Sequence, residues 1–281
     1  MAVVLDGKEV ARKIRQNLKE EVSKLKEEGI SPKLAVIMVG DDSASKIYVK
    51  NKSIACNEIG IEYEEYLLNE ETTMDELLNL IDKLNNDKTI NGILLQSPIP
   101  KKLDINEAFK AIDPIKDVDG FNPMNVGKLC LGQDAFISCT PYGVIKILED
   151  YNIEIEGKNA VIIGRSNIVG KPMLQCLLNK NATVTVCHSR TKNLAEITKM
   201  ADILVVAIGK SKFVTKNMVK DGAVVVDVGI NRGEDGKLCG DVDFEEVSKV
   251  ASYITPVPGG VGPMTIAMLM NNIVKATKLQ N

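Results

Sequence analysis

In the stretch "SKIYVKNKSIACNEIG", Tyr48 and Lys52 stand four residues apart, so a helix formed there carries both on one face. Ala55 and Ile59 continue that face, which sets a lysine into a mostly apolar stripe. Two readings follow. The lysine stem packs while its ammonium reaches water, or the amine is partly desolvated in a cleft. There a lowered pKa lets it serve as a general base beside the Tyr48 hydroxyl. Gln96, which closes the apolar run "INGILLQ" just before "SPIP", and Asp119, in "KDVDG", are candidates to converge on it. Each also has an ordinary reading as turn chemistry. Spacing alone does not bring Lys52, Gln96 and Asp119 together.

A second constellation concerns a nucleotide. "VIIGRSNIVGKP" reads as a strand, a glycine turn and a helix, with glycines at Gly164 and Gly170 and Ser166 where a dinucleotide fingerprint carries its middle glycine. In the functional reading Gly164 makes the tight turn, Ser166 offers a hydroxyl and an N–H to phosphate, and Gly170 permits close helix–strand packing. The alternative is a plain strand-to-helix turn. The next strand ends in "CHSR", where an NAD enzyme usually carries an acidic residue for the ribose hydroxyl. His188, Ser189 and Arg190, with Arg165 from the first turn, supply donors and positive charge instead and favour NADP, unless the arginines are simply solvated. Gly209 and Gly229 close later strands, where ligands bind in open α/β sheets. His188, the only histidine, reads as a neighbour of the adenine ribose rather than as a general base.

The elements that must position these groups are legible as alternating strands and helices, which predicts an α/β protein with parallel sheets. A first helix carries Val10, Ile14, Leu18, Val22 and Leu25 on one side, with Asp6 and Glu9 spaced as a capping box and Gly29 as its stop. "KLAVIMVG" reads as a buried strand, "IEYEEYLL" as an alternating strand, "TMDELLNLIDKLNND" as a helix and "INGILLQ" as another strand. The Pro-, Gly- and Asp-rich passage "IDPIKDVDGFNPMNVGKL" reads as an interdomain connection, followed by a helix with Thr140 as N-cap and Pro141 at its first position. From Lys158 a doubly wound series begins, and "PGGVGPMT" feeds a final helix.

Composition narrows the ligand. A net charge of −3 over 281 residues gives no basic field for nucleic acid. One histidine and six cysteines without a C-x-x-C pair argue against a metal cage and for reduced, mostly buried thiols. With no apolar run near the roughly 20 residues that span a bilayer and no signal-peptide pattern, the expectation is a cytoplasmic protein without a membrane partner.

"YVKNK", "GILLQSPIP", "KDVDGFN", "TPYGVIKIL", "GRSNIVGKP", "CHSRT", "VDVGIN", "GDVDF" and "TPVPGGVGPMT" follow in this order from Tyr48 to Thr265. Together they closely resemble the bifunctional methylenetetrahydrofolate dehydrogenase/methenyltetrahydrofolate cyclohydrolase family. The resemblance implies an N-terminal folate domain over residues 1–138, completed by the C-terminal helix 263–281. It implies a Rossmann-like NADP domain over 139–262, a cleft between the two, and a homodimer acting on tetrahydrofolate derivatives. Lys52 would be the cyclohydrolase lysine, Tyr48 its neighbour on the folate, Gln96 the amide that orients the lysine and Asp119 the carboxylate that holds the pterin. Arg165, Ser166, Ser189 and Arg190 would contact the adenosine phosphates. Ile230 and Thr265 would lie near the cofactor, and Pro258 and Gly259 on the substrate side. Two rivals remain at this stage: a shikimate-type NADP dehydrogenase, and a dinucleotide-binding sensor that has lost catalysis.

Overall fold

The run "LAVIMV" lacks polar alternation because it is covered on both faces: Lys33–Val39 is the middle strand of a three-stranded parallel sheet. Glu62–Leu68 pairs on one side, from Lys33↔Glu62 to Val39↔Leu68, and Gly92–Leu95 on the other. The outer strand Glu62–Leu68 keeps the alternation its sequence shows, since one face is solvated. Ile37, Ile93 and Leu95 pack with Leu77, Ile81 and Leu84 of helix Met74–Asn86 to form the core. That helix starts at a reciprocal capping box, Thr73 with Glu76.

This sheet belongs to one of two units of the computed structural model, which describes residues 1–233 and 236–281. The unit built on this smaller sheet, called the smaller unit for that reason, is Lys13–Ile137 with Ile266–Asn281, and the unit built on the larger, six-stranded sheet is Met1–Arg12 with Ser138–Thr265. In the larger, six parallel strands run in the order Val3–Val4, Tyr253–Ile254, Val224–Asp227, Ile203–Val206, Asn159–Ile163, Thr183–Cys187. The chain winds both ways from Asn159–Ile163, so the order reverses between that strand and Ile203–Val206. This is the point where ligands enter such sheets. Among the described residues no helix is long and apolar enough to cross a membrane.

Three local expectations differ from the structure. The passage expected to connect domains lies inside the smaller unit, where Asp117 bridges Ile93 in parallel and helices Ile105–Ala111 and Pro123–Cys130 flank it. Its turn-rich composition serves a fixed loop: the buried Lys116 ammonium donates to the carbonyls of Leu84, Asn85 and Asp87. Thr140 is not the N-cap, because helix Cys139–Asp150 begins one residue earlier. The Thr140 hydroxyl meets the Thr265 hydroxyl at 2.9 Å instead. Finally, Val3–Val4 pairs with Tyr253–Ile254, which groups the first twelve residues with the larger unit rather than with the N-terminal domain. A two-residue strand is too short to show a period.

Candidate functional site

In the smaller unit the site grows from helix Ser43–Ile59. Asp42 caps its start by accepting from Ser45 N–H at 2.7 Å, and Gly60 ends it at φ +87°. Val49, Ala55, Cys56 and Ile59 are buried, which fixes the rotation of the helix. Lys52 is thereby left half-buried, one turn after the exposed Tyr48. The Lys52 ammonium donates to Gln96 Oε1 at 2.8 Å. Gln96 is itself held: its backbone N–H donates to Ile37 O at 2.8 Å and its Nε2 donates to Ser97 O at 2.6 Å. With the amide nitrogen engaged there, the amide oxygen must face the lysine. The sequence could name this pair; the structure joins it across 44 residues.

Asp119 follows the Ile93↔Asp117 bridge by two residues, half-buried at the C-terminal end of Gly92–Leu95, the sheet edge that also carries Gln96. The loop is set by Asp117, which sequence reading passed over. Only 2% of the residue is exposed, and its carboxylate accepts from Phe121 N–H, Asn122 N–H and Asn125 Nδ2. Burial raises its pKa, and those donors oppose the rise. Beside Lys52, burial pushes the Cys56 thiol up to about 12 against the pull of the lysine, which keeps it an inert thiol.

In the larger unit the two glycines of "GRSNIVG" have separate steric reasons. Gly164 has φ +130°, and a Cβ there would stand 2.3 Å from Ala207 O across the switch point. A Cβ on Gly170 would stand 2.3 Å from Gly164 O, so the helix could not close on the turn. Between them Ser166 Oγ accepts from Val169 N–H at 3.1 Å and Gly170 N–H at 3.4 Å, which starts helix Gly170–Leu178. Its hydroxyl proton stays available to an acceptor.

Arg165, His188 and Ser189 line one cavity of about 290 Å³, with Gly164, Leu194, Ile208, Lys210 and Phe213. Ser166, Arg190, Gly209, Ile230 and Thr265 are not part of its wall. Arg190 shapes it indirectly: its backbone N–H donates to His188 Nδ1 at 3.2 Å, which orients the ring. No carboxylate lies within ion-pair distance of Arg165 or Arg190 among the described residues. A pocket walled by a cation and apolar side chains suits an adenosine phosphate.

Two aspartates behind this pocket had no role in the sequence reading. Asp241, fully buried, accepts from the N–H groups of Ile208, Gly209 and Lys210 at 2.7, 3.0 and 2.7 Å and from Asn231 Nδ2 at 2.9 Å. Asp227 accepts from Gly229, Asp241 and Val242 N–H, and burial lifts its pKa to about 6. Gly229 has no room for a side chain, because a Cβ would meet the Asp241 carboxylate at 2.2 Å. The signal was present as "VDVGIN" and "GDVDF", but an aspartate beside a glycine looks the same in any turn. Pro258 and Gly259 also lie in the larger unit, where Gly259 O accepts from Lys8 N–H at 3.1 Å.

The comparisons with known proteins also divide the chain before residue 138, but they run residues 5–12 with the first domain and 266–281 with the second. The catalytic domain of tetrahydrofolate dehydrogenase/cyclohydrolase matches residues 5–119, and the NAD(P)-binding domain of the same family matches 138–281. The bifunctional protein FolD of Halalkalibacterium halodurans is 58% identical over 277 residues, 99% of each chain. The crystal structure of FolD from Campylobacter jejuni superposes with a TM-score of 0.99 at 55% identity, covering 100% of both chains. A Trypanosoma brucei methylenetetrahydrofolate dehydrogenase-cyclohydrolase, complexed with NADP cofactor and inhibitor, gives a TM-score of 0.94 at 37% identity over 99% of this chain and 98% of that one. Neither rival reading accounts for matches of this extent. The chain is a member of the tetrahydrofolate dehydrogenase/cyclohydrolase family.

Proposed function

We infer that this chain oxidises 5,10-methylenetetrahydrofolate with NADP⁺ and hydrolyses the resulting 5,10-methenyltetrahydrofolate to 10-formyltetrahydrofolate. The observation that carries the reading is the hydrogen bond from Lys52 Nζ to Gln96 Oε1 at the C-terminal edge of the smaller sheet. NADP supplies the hydride acceptor for the first reaction. For that reaction the chain needs no acid or base, since the folate nitrogens stabilise the cation left when hydride departs; positioning suffices. Tyr48 and Asp119 supply it, the first against the folate and the second on the pterin.

The second reaction needs a base. Water adds to the methenyl carbon, a C–N bond breaks to leave the formyl group, and one proton must be taken up. Lys52 takes it. Gln96 Oε1 accepts from the amine as well as from the ammonium, so the orienting bond survives the change of protonation. Arg165, Ser166, Ser189 and Arg190, with Gly164, Gly170, Gly209, Ile230 and Thr265, form the cofactor site. The uncompensated arginines favour a 2′-phosphate over a bare ribose hydroxyl.

We assign the folate to the smaller unit and the cofactor to the larger. A homodimer is the assembly we propose, supported by the outer strand Glu62–Leu68. It carries Leu67 at 65% exposure beside a groove of about 930 Å³ that Ile54 also lines. Lys52→Met tests the catalytic assignment. Methenyl absorbance should persist when purified methenyltetrahydrofolate is added, and hydrolysis at the wild-type rate would overturn the role of the lysine.

A further inference from the structure

The residue after Gly209 is a lysine that neither the sequence motifs nor the cofactor reading employs. Lys210 shares a cavity wall with Arg165, His188 and Ser189. Its backbone is anchored, because its N–H donates to the buried Asp241 carboxylate at 2.7 Å, and the two preceding N–H groups end on the same carboxylate. Its side chain is not anchored. Among the described residues no carboxylate reaches Lys210 Nζ, which rests 5.6 Å from the centre of the Phe213 ring, another wall of the cavity. A fixed backbone therefore presents a cation held only by a ring face.

We propose that Lys210 is a specificity-determining cofactor contact, its ammonium pairing with the phosphate on the adenosine ribose alongside Arg165 and Ser189. This rests on the NADP reading and deepens it by naming a second cation, beside Arg165, on the wall of the same pocket. The chemistry is selective by charge. An ammonium gains strongly from a phosphate and little from a hydroxyl, so it weights the balance toward the phosphorylated cofactor. Phe213, Leu194 and Ile208 keep the lysine beside an apolar wall rather than in open water, where the attraction would be screened.

The test uses the full chain and two fragments of the cofactor, adenosine 2′,5′-bisphosphate and AMP, titrated calorimetrically into wild type, Lys210→Ala and Lys210→Arg. Lys210→Ala should bind the bisphosphate about tenfold more weakly, the size of one charge-assisted contact, and AMP as before. Lys210→Arg should restore most of the bisphosphate affinity. The KM for NADP⁺ should rise in the alanine variant while that for NAD⁺ holds. Equal losses for both fragments, or none for the bisphosphate, would overturn the role of Lys210. If the wild type does not distinguish the fragments, the NADP reading fails and takes this proposal with it. If the wild type distinguishes them and Lys210→Ala does so equally, Lys210 alone has been misassigned.

Discussion

At their candidate sites the two units handle cations in opposite ways. In the smaller one the cations are engaged: Lys52 lies on Gln96, and Lys116 ends on three carbonyls. In the larger one the carboxylates are engaged: Asp241 and Asp227 receive backbone N–H groups, while Arg165, Arg190 and Lys210 stand without carboxylate partners among the described residues. A base must be oriented before its substrate arrives, since misorientation costs rate directly. A cation meant for phosphate does better without an internal carboxylate that the ligand would have to displace. The contrast therefore separates a unit organised for chemistry from one organised to receive an anion.

The largest effect should come from breaking the first arrangement. Lys52→Met removes the amine, and hydrolysis of methenyltetrahydrofolate should fall by roughly 10²- to 10⁴-fold, the span usual for general-base catalysis. Gln96→Leu keeps the amine but loses the acceptor that orients it, so a smaller fall is expected. If Gln96→Leu leaves the rate of hydrolysis unchanged, the hydrogen bond is structural and the smaller unit is not preorganised in the sense argued. Exchanging Arg165 and Arg190 together for Glu attacks the second arrangement. Preference should invert from NADP to NAD, read as the ratio of kcat/KM values, by on the order of 10² if two charge-assisted contacts are lost. A ratio that stays put would mean that the arginines are only solvated surface charges.

How much of this contrast was visible in the sequence depended on whether a signal was local. Helix Met74–Asn86 and the buried strand Lys33–Val39 have periods that a window of ten residues displays. Tyr48, Lys52 and Gln96 could be named because each broke an apolar pattern. What no window contains is a long-range partner. The Lys52–Gln96 bond spans 44 residues, and the carboxylate of Asp241 reaches the 208–210 loop across more than 30. The same limit made the Asp117 loop resemble a linker, since a buried aspartate with three donors and a solvated turn aspartate are spelled alike. The short strand Val3–Val4 escaped notice because its partner lies at the other end of the chain.

Asp241 allows the contrast to be sharpened by a smaller step. Asp241→Asn preserves shape but turns one acceptor oxygen into a donor facing N–H groups, which should loosen the loop that carries Gly209 and Lys210. Cofactor affinity, measured by titration of NADPH fluorescence, should weaken about tenfold, a cost of the order of one lost hydrogen bond to a charged group. Hydrolysis of methenyltetrahydrofolate supplied directly should change far less, because Lys52 and Gln96 sit on another sheet. Equal losses in both would show that Asp241 holds the fold generally rather than the cofactor loop.

The smallest effect concerns Asp227, whose carboxyl is raised to about 6 by burial, with the neighbouring Asp241 charge adding to the rise and three N–H groups opposing it. In the unfolded chain the same group titrates near the ordinary aspartate value of about 3.9. Between the two values the folded state binds the extra proton. Stability from this group is therefore greatest below that window and is lost as pH rises through about 6. From about pH 5.5 to 6.5 the folded state sheds about half of a proton that the unfolded chain has already released. Averaged over that interval the difference is roughly half a proton, or about 0.7 kcal/mol. Denaturant unfolding of wild type and Asp227→Asn across this range isolates the contribution, since asparagine does not titrate. The wild type should lose ground to the variant as pH rises; parallel profiles would mean that the N–H donors fully compensate the burial, leaving Asp227 ionised throughout, as engaged as Asp241.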